Sequence, residues 1–245
     1  MSGSAKFENQ QILIVGATGG LGGEIARHLK REGAELTLSG RNEDKLKALA
    51  QGLGAHVLSA DVSTSEGRIE LAEAVGVCDG VVYAAGVAPV APVRYLKDAD
   101  LEACLNVNTT APLLLIRDLL KKKKLNSGAS IVWLSSVASS RGAGGYAAYA
   151  SSKAALEAAA RCLALELAPK AMRVNCIAPG MIETEMAAAA AERISGEAFA
   201  AHLKAYPLGA GQPADVAAAA SFLLSEESRW VTGVTLPVDG GFSIH

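Results

Sequence analysis

The chain is poor in the residues that build special-purpose surfaces. Of 245 residues only 4% are aromatic, and there are four cysteines and eight prolines. Cys78, Cys104, Cys162 and Cys176 lie far apart, with no C-x-x-C pair and no histidine grouped near them. That spacing speaks against a disulfide framework and a zinc site, and fits buried thiols in a reducing cytoplasm. No run approaches the ~18 to 20 apolar residues of a membrane span, and the first residues lack an apolar signal core. The formal charge is -2, with both signs scattered, so there is no field suited to a nucleic-acid backbone. One exception, Lys121 to Lys124, fits a solvated helix end, where cations complement the dipole. A small-molecule partner is expected.

What the chain does have is apolar mass, half of its residues, enough for one sizeable α/β domain spanning 1–245. Gln11 to Gly16 is a continuous apolar run ended by glycine, as in a strand buried on both faces. Gly16-Ala17-Thr18-Gly19-Gly20-Leu21-Gly22-Gly23 then leads into Glu24 to Arg31, where Ile25, Ala26 and Leu29 have helical spacing. A strand, a glycine turn and a helix start let backbone approach a pyrophosphate while free N–H groups face it. The same turn could also be only a tight connection.

Further strands are expected at Glu35–Ser39, His56–Ser59, Gly80–Tyr83, Ser130–Ser135, Arg173–Ala178 and Val234–Val238. They alternate with helices at about 20 to 25 residues, which implies right-handed crossovers and a seven-stranded, mainly parallel sheet of Rossmann type. The second strand ends Ser39-Gly40-Arg41 with no acid at its tip. A guanidinium pairs with a 2′-phosphate, so Ser39 and Arg41 argue for NADP(H) over NAD(H), unless Arg41 simply faces solvent. Asp61-Val62 follows the third strand and Ala84-Ala85-Gly86 the fourth, both placed to meet a cofactor, though Asp61 could equally be a turn residue. A long helix is expected over about Leu101 to Lys124, with Asn108 in its apolar half and a stop at Asn126-Ser127-Gly128.

Ser136 stands at the end of the fifth strand, where catalytic groups of open α/β sheets gather. Tyr149 and Lys153 lie four apart near the start of an alanine-rich helix predicted over about Ala148 to Pro169, so both occupy one face. An ammonium beside a phenol favours the phenolate and makes Tyr149 a general-acid candidate, although the spacing alone is common. Met181 to Pro207 has the mixed character and position of a lid, and Pro213 to Leu224 reads as a helix opened by proline.

Together these residues resemble the short-chain dehydrogenase/reductase family over essentially the whole chain. The likeness rests on Gly16, Gly20 and Gly22 in G-x-x-x-G-x-G, on Asp61-Val62, Asn108 and Ser136, on Y-A-S-S-K at Tyr149 to Lys153, on Pro179-Gly180-Met181-Ile182-Glu183-Thr184, and on the closing V-D-G-G. It implies cofactor contacts from Gly16, Thr18, Gly20, Leu21, Gly22, Ser39, Arg41, Asp61, Val62, Ala84, Ala85, Gly86, Tyr149, Lys153, Pro179, Gly180, Ile182 and Thr184. By the same resemblance Ser136 would hold a carbonyl oxygen, Tyr149 would protonate it, Lys153 would serve the phenol and the nicotinamide ribose, and Asn108 would anchor a water. No metal is required.

The resemblance extends to bacterial 3-oxoacyl-acyl-carrier-protein reductases, with NADP(H) as cofactor, a cytoplasmic homotetramer as the assembly and an acyl carrier protein as a possible partner. Competing readings are an alcohol dehydrogenase of a sugar, cyclitol or steroid, and a non-catalytic dinucleotide sensor on the same fold. Two departures stand out: Val15 where the family often has Thr, and Tyr83-Ala84-Ala85-Gly86 where it usually has N-N-A-G. They put the rigidity of the loop after the fourth strand in question.

Overall fold

A computed structural model describes residues 5–185, 187–188 and 196–244. Its centre is one seven-stranded sheet in the order β3-β2-β1-β4-β5-β6-β7. The strands are β1 Gln11–Val15, β2 Glu35–Gly40, β3 His56–Ser59, β4 Cys78–Tyr83, β5 Leu125–Leu134, β6 Arg173–Pro179 and β7 Thr235–Val238, and every neighbouring pair runs parallel.

Parallel pairing needs helical crossovers, and these cover both faces. On one face Leu13, Val15, Val81, Tyr83, Ile131 and Trp133 pack beneath α3 (Ser65–Ala74), α5 (Ala111–Lys121) and α6 (Ala147–Leu167). On the other, Ile12, Ile14, Leu36, Leu38, Val82 and Val132 pack beneath α1 (Gly20–Arg31), α2 (Glu43–Leu53) and α8 (Pro213–Leu224). The period-two alternation of a strand thus sends successive apolar residues to opposite cores, which is why these runs carry no polar face.

The chain leaves β1 towards β2 and β3, then returns to β4 on the other side of β1. That reversal opens a crevice at the carboxyl ends of β1 and β4, the place where open α/β sheets take ligands. Two chain segments must pass closely there. A Cβ on Gly16, which has φ +84°, would sit 2.4 Å from the Ala85 nitrogen, so glycine is required both for conformation and for space.

Two expectations about the middle of the chain are corrected. The long helix begins at Asp98, and Asn106–Thr110 interrupts it with a π-turn between α4 (Asp98–Leu105) and α5. It stops at Lys121, where Lys123 takes a left-handed conformation (φ 55°), and not at Asn126–Gly128. Those three residues lie within β5, where two steps along β4 from Cys78 to Gly80 face five along β5 from Leu125 to Ser130. The Asn-Ser-Gly turn chemistry forms a bulge instead of ending the helix. The lysine run is partly engaged: Lys122 pairs with Glu73, and Lys124 donates to the Glu73 and Val75 carbonyls at 3.0 and 2.6 Å.

The segment expected to be a lid is described in part. Met181 to Glu185 is rooted by a parallel bridge between Ile182 and Gly211, and α7 spans Gly196–Lys204. Residues 186 and 189–195, including part of the alanine run, lie outside the described residues.

Candidate active site

Most of the residues singled out in the sequence line one of two cavities at the carboxyl edge of the sheet. The first, of about 350 Å³, is lined by Gly16, Thr18, Gly20, Leu21, Gly22, Arg41, Asp61, Val62, Ala84, Ala85 and Gly86, with Thr184. The second, of about 340 Å³, is lined by Ser136, Tyr149, Pro179, Gly180, Ile182 and, again, Leu21 and Thr184. Those two shared residues join the cavities. The contact is built by the glycine turn, since a Cβ on Gly20 would approach the Thr184 side chain to 3.2 Å.

The first cavity fits a dinucleotide. A Cβ on Gly22 would come 2.3 Å from the Gly16 carbonyl oxygen, so only hydrogens there let the turn fold under the start of α1. That helix has Gly19 at its N-cap, no side-chain cap and no acid in its first turn. Its N–H groups and dipole are therefore left for an anion. By contrast α2 and α3 are capped by Asn42 and Thr64 through bonds of 2.9 and 3.0 Å.

Arg41 is exposed at the tip of β2 on the cavity edge. Asp61 accepts from the Ser63 hydroxyl at 2.7 Å and the Ser63 N–H at 3.0 Å. The Ser63 hydroxyl, a further backbone bond and the Arg41 charge hold its carboxyl below the ordinary value, against the opposing effect of burial. Asp61 is thus both a turn residue and a wall of the cavity. Ser39 departs from expectation. It is fully buried in the sheet, its Oγ has no hydrogen-bond partner among the described residues, and its carbonyl accepts from Gly16 and Ala17 at 2.8 and 3.1 Å. The strand runs one residue further than expected, so the tip belongs to Gly40 and Arg41, and Ser39 holds the glycine turn without lining the cavity.

At the second cavity, β5 delivers two serines with different fates. Ser135 donates to Glu157 Oε1 at 2.6 Å. The Ser136 hydroxyl accepts from the Ala138 N–H at 3.2 Å, and Ser136 and Tyr149 line the same cavity. Lys153 lies beneath Tyr149, its Nζ 5.7 Å from the ring centroid, and donates to the Leu134 carbonyl at 2.7 Å. Burial pushes the Tyr149 phenol up, with the Ser136 hydroxyl opposing it, and pulls the Lys153 ammonium down to about 8. Burial is thus the largest influence on both groups.

Asn108 is fully buried and lies outside both cavity walls. Its Oδ1 accepts from the Val87 N–H at 2.9 Å, and its Nδ2 donates to the Val87 carbonyl and the Ser152 hydroxyl, each at 2.9 Å. Gly86 adjoins both Asn108 and Lys153, for a Cβ there would lie 3.2 Å from Asn108 Oδ1 and 3.5 Å from Lys153 Nζ. The loop after β4 has lost its asparagines, yet it is tied by Asn108, and the Tyr83 hydroxyl donates to the Val107 carbonyl at 2.8 Å.

Comparison with known proteins now decides the family. Residues 16–243 match the model described as Enoyl-(Acyl carrier protein) reductase. The 3-oxoacyl-[acyl-carrier-protein] reductase FabG of Rickettsia bellii is 34% identical over 238 residues, covering 96% of this chain and 97% of the relative. The human Dehydrogenase/reductase SDR family member 4 is 33% identical over 244 residues, covering 95% and 87%. The chain belongs to the short-chain dehydrogenase/reductase family.

Solved structures agree. A short-chain type dehydrogenase/reductase from Mycobacterium ulcerans superposes with a TM-score of 0.91 at 28% identity, covering 98% of this chain and 92% of that one. An actinorhodin polyketide ketoreductase variant with NADPH gives 0.90 at 29% identity, covering 96% and 98%. As a short-chain dehydrogenase/reductase the protein is a ketoreductase-like oxidoreductase, and the first cavity is suited in shape and lining to a nicotinamide dinucleotide. The family motifs left several lining residues unnoticed, among them Tyr146, Tyr206 and Phe242 of the second cavity. Tyr206 and Phe242 stack with ring centroids 4.5 Å apart. They come from separate loops of low sequence signal, and only the closing V-D-G-G turn hinted that the C-terminus returns to the site. Among the described residues no group of three or more His, Cys, Asp or Glu is arranged to hold a metal ion, and no helix is long and apolar enough to cross a membrane.

Proposed function

We propose that this protein is an NADPH-dependent reductase of carbonyl groups, with a 3-oxoacyl thioester as its first candidate substrate class. The observation that carries the reading is that Ser136 and Tyr149 share the wall of an apolar cavity joined to the first cavity at Leu21 and Thr184. When bound, the reduced nicotinamide supplies a hydride to the carbonyl carbon. Ser136 orients the carbonyl oxygen by donating to it, and Tyr149 gives up its phenolic proton as negative charge develops there. A phenol pushed up by burial holds that proton at neutral pH, as an acid must.

Lys153 remains largely charged at neutral pH, with its ordinary value drawn down to about 8. Its ammonium stabilises the phenolate left after proton transfer and binds the nicotinamide ribose hydroxyls, exchanging its bond to Leu134. Asn108 acts through the Val87 backbone and Ser152, keeping Gly86 against the groove. Thr184 and the Ile182 backbone hold the carboxamide from the first turn of the lid, with Pro179 and Gly180 lining the approach. Arg41 receives the 2′-phosphate, which supports NADPH over NADH.

Carrier-protein delivery of the substrate is supported by the FabG relatives, while the ties of Lys122 and Lys124 to the end of α3 leave less free basic surface for it. A homotetramer is supported by the exposed apolar side chains Leu165 and Trp230, at 80% and 90% exposure. A second reading, reduction of a bulky cyclic ketone, is favoured by the Tyr146, Tyr206 and Phe242 rings. Oxidation of NADPH and NADH at 340 nm with acetoacetyl and crotonyl thioesters and a panel of cyclic ketones tests both. NADPH oxidation with the acetoacetyl thioester supports the first reading; turnover confined to cyclic ketones replaces it with the second, and turnover confined to the crotonyl thioester makes the enzyme an enoyl reductase.

A further inference from the structure

Three residues at the end of β5 face three different residues of α6. The Leu134 carbonyl accepts from Lys153 at 2.7 Å, Ser136 shares a cavity wall with Tyr149, and Ser135 between them donates to Glu157 Oε1 at 2.6 Å. Tyr149, Lys153 and Glu157 repeat every four residues, so they form one row along the helix facing the strand end. Ser135 is 4% exposed and is itself fixed through its N–H to the Ile177 carbonyl at 2.7 Å. Glu157 thus fastens the strand end to the helix midway between the two pairs on which the site depends.

We propose that Glu157, held by Ser135, is a positioning residue for Lys153: it locks the end of β5 onto α6 and supplies the negative charge that balances a buried ammonium. The proposal rests on the role given to Lys153 above. Lys153 is 4% exposed, and its surroundings show why the carboxylate matters. Burial draws the ammonium down, while Cys176 on β6, Cys104 on α4 and Glu157 on its own helix act the other way. Burial pushes Cys176 up to about 12 and raises Cys104 as well, so both are uncharged thiols at neutral pH. Asn108 and Ser152 nearby are neutral, Tyr149 is a protonated phenol, and Arg161 brings a further positive charge from the next turn of α6, facing Cys176. Of the described groups facing this cluster, Glu157 is the one that brings negative charge.

The test uses the full chain and reads two pH profiles from pH 6 to pH 10: NADPH affinity by fluorescence, and kcat/KM for acetoacetyl thioester. Glu157→Gln keeps an oxygen for Ser135 and removes the charge. Its alkaline limb is expected to fall by about one pH unit in both profiles, roughly a tenfold loss well above the limb, with near-normal values at pH 6. A uniform loss with the limb unmoved is what a merely structural contact gives, and overturns the proposal. Ser135→Ala keeps the carboxylate but cuts its tether and is expected to move the limb in the same direction by less. Should Glu157→Gln fail to fold, an unmoved limb in Ser135→Ala overturns the proposal in its place. If the wild-type chain does not reduce the thioester, the substrate reading fails separately, and the NADPH affinity limb still decides the role of Glu157.

Discussion

Two glycines three residues apart in the phosphate turn should respond oppositely to the same added methyl group. At Gly22 the new Cβ would lie 2.3 Å from the Gly16 oxygen, 2.9 Å from the Gly16 carbonyl carbon and 3.1 Å from the Ala17 Cα. All three are backbone atoms of the turn itself, held by hydrogen bonds to Ser39, so no side chain can swing aside. Overpacking of this kind costs about 1–3 kcal/mol. For a domain of this size that corresponds to a fall in Tm of about 2–12 °C, at roughly 2–4 °C per kcal/mol. At Gly19 the Cβ would meet only the Gly16 oxygen, at 3.5 Å, and the backbone is already extended at φ -82° and ψ 161°. Alanine there costs the unliganded protein about 0.5–1 kcal/mol through poorer N-capping, but its methyl projects at the groove. Thermal unfolding with and without NADPH separates the two effects. Gly22→Ala should melt early even without cofactor. Gly19→Ala should melt near the wild type alone and lose much of the stabilisation that NADPH provides. Equal destabilisation of the two unliganded variants would refute the reasoning, because it would mean that the close approach of Gly22 to Gly16 is relieved at no cost.

Three further outcomes are expected. Tyr149→Phe should reduce kcat by at least about a hundredfold, the usual contribution of a general acid, while NADPH binding, read by fluorescence titration, stays within about threefold because the ring still packs over Lys153; wild-type turnover would exclude Tyr149 as the acid. Arg41→Asp should weaken NADPH binding by about 10–100-fold, the equivalent of one charge-assisted bond, and leave NADH binding unchanged or better; an unaltered ratio would show that Arg41 faces only solvent. Stability should fall as pH rises above about 9, measured by urea unfolding. Cys78 and Cys176 are pushed up to about 12 from an ordinary 9, and Tyr83 and Tyr149 are raised as well, so over this range the unfolded chain gives up protons that the folded chain keeps. Lys153 acts oppositely between about 8 and 10.5, but it is a single group against four, and a stability that rises across this range would show that it dominates.

The sequence by itself determined the layered α/β architecture and most of the site. Apolar runs without a polar face, such as Ile12 to Val15, can only be strands covered on both sides, and strands covered on both sides are parallel. Spacing placed Tyr149 above Lys153 because a helix repeats every 3.6 residues, and the glycines of the phosphate turn were visible because no other residue tolerates the approach of Gly16 to Ala85. Local reasoning failed where partners distant in the chain decide the outcome. Ser39 was legible as a strand tip, but β3 extends pairing by one residue, Ser59 against Gly40, and encloses it. Asn126-Ser127-Gly128 has the composition of a helix stop, yet pairing with β4 draws it into β5 as a bulge.

The electrostatics also belong to the tertiary structure. The sequence puts an ammonium next to a phenol, but only the packing of both beneath the end of β5 buries them, raising one group and lowering the other. The tie of Ser135 to Glu157, a residue with no motif of its own, was invisible in the sequence, because only the fold brings that carboxylate within hydrogen-bonding distance of the hydroxyl. Burial and long-range proximity are properties of the assembled chain, and no window of sequence contains them.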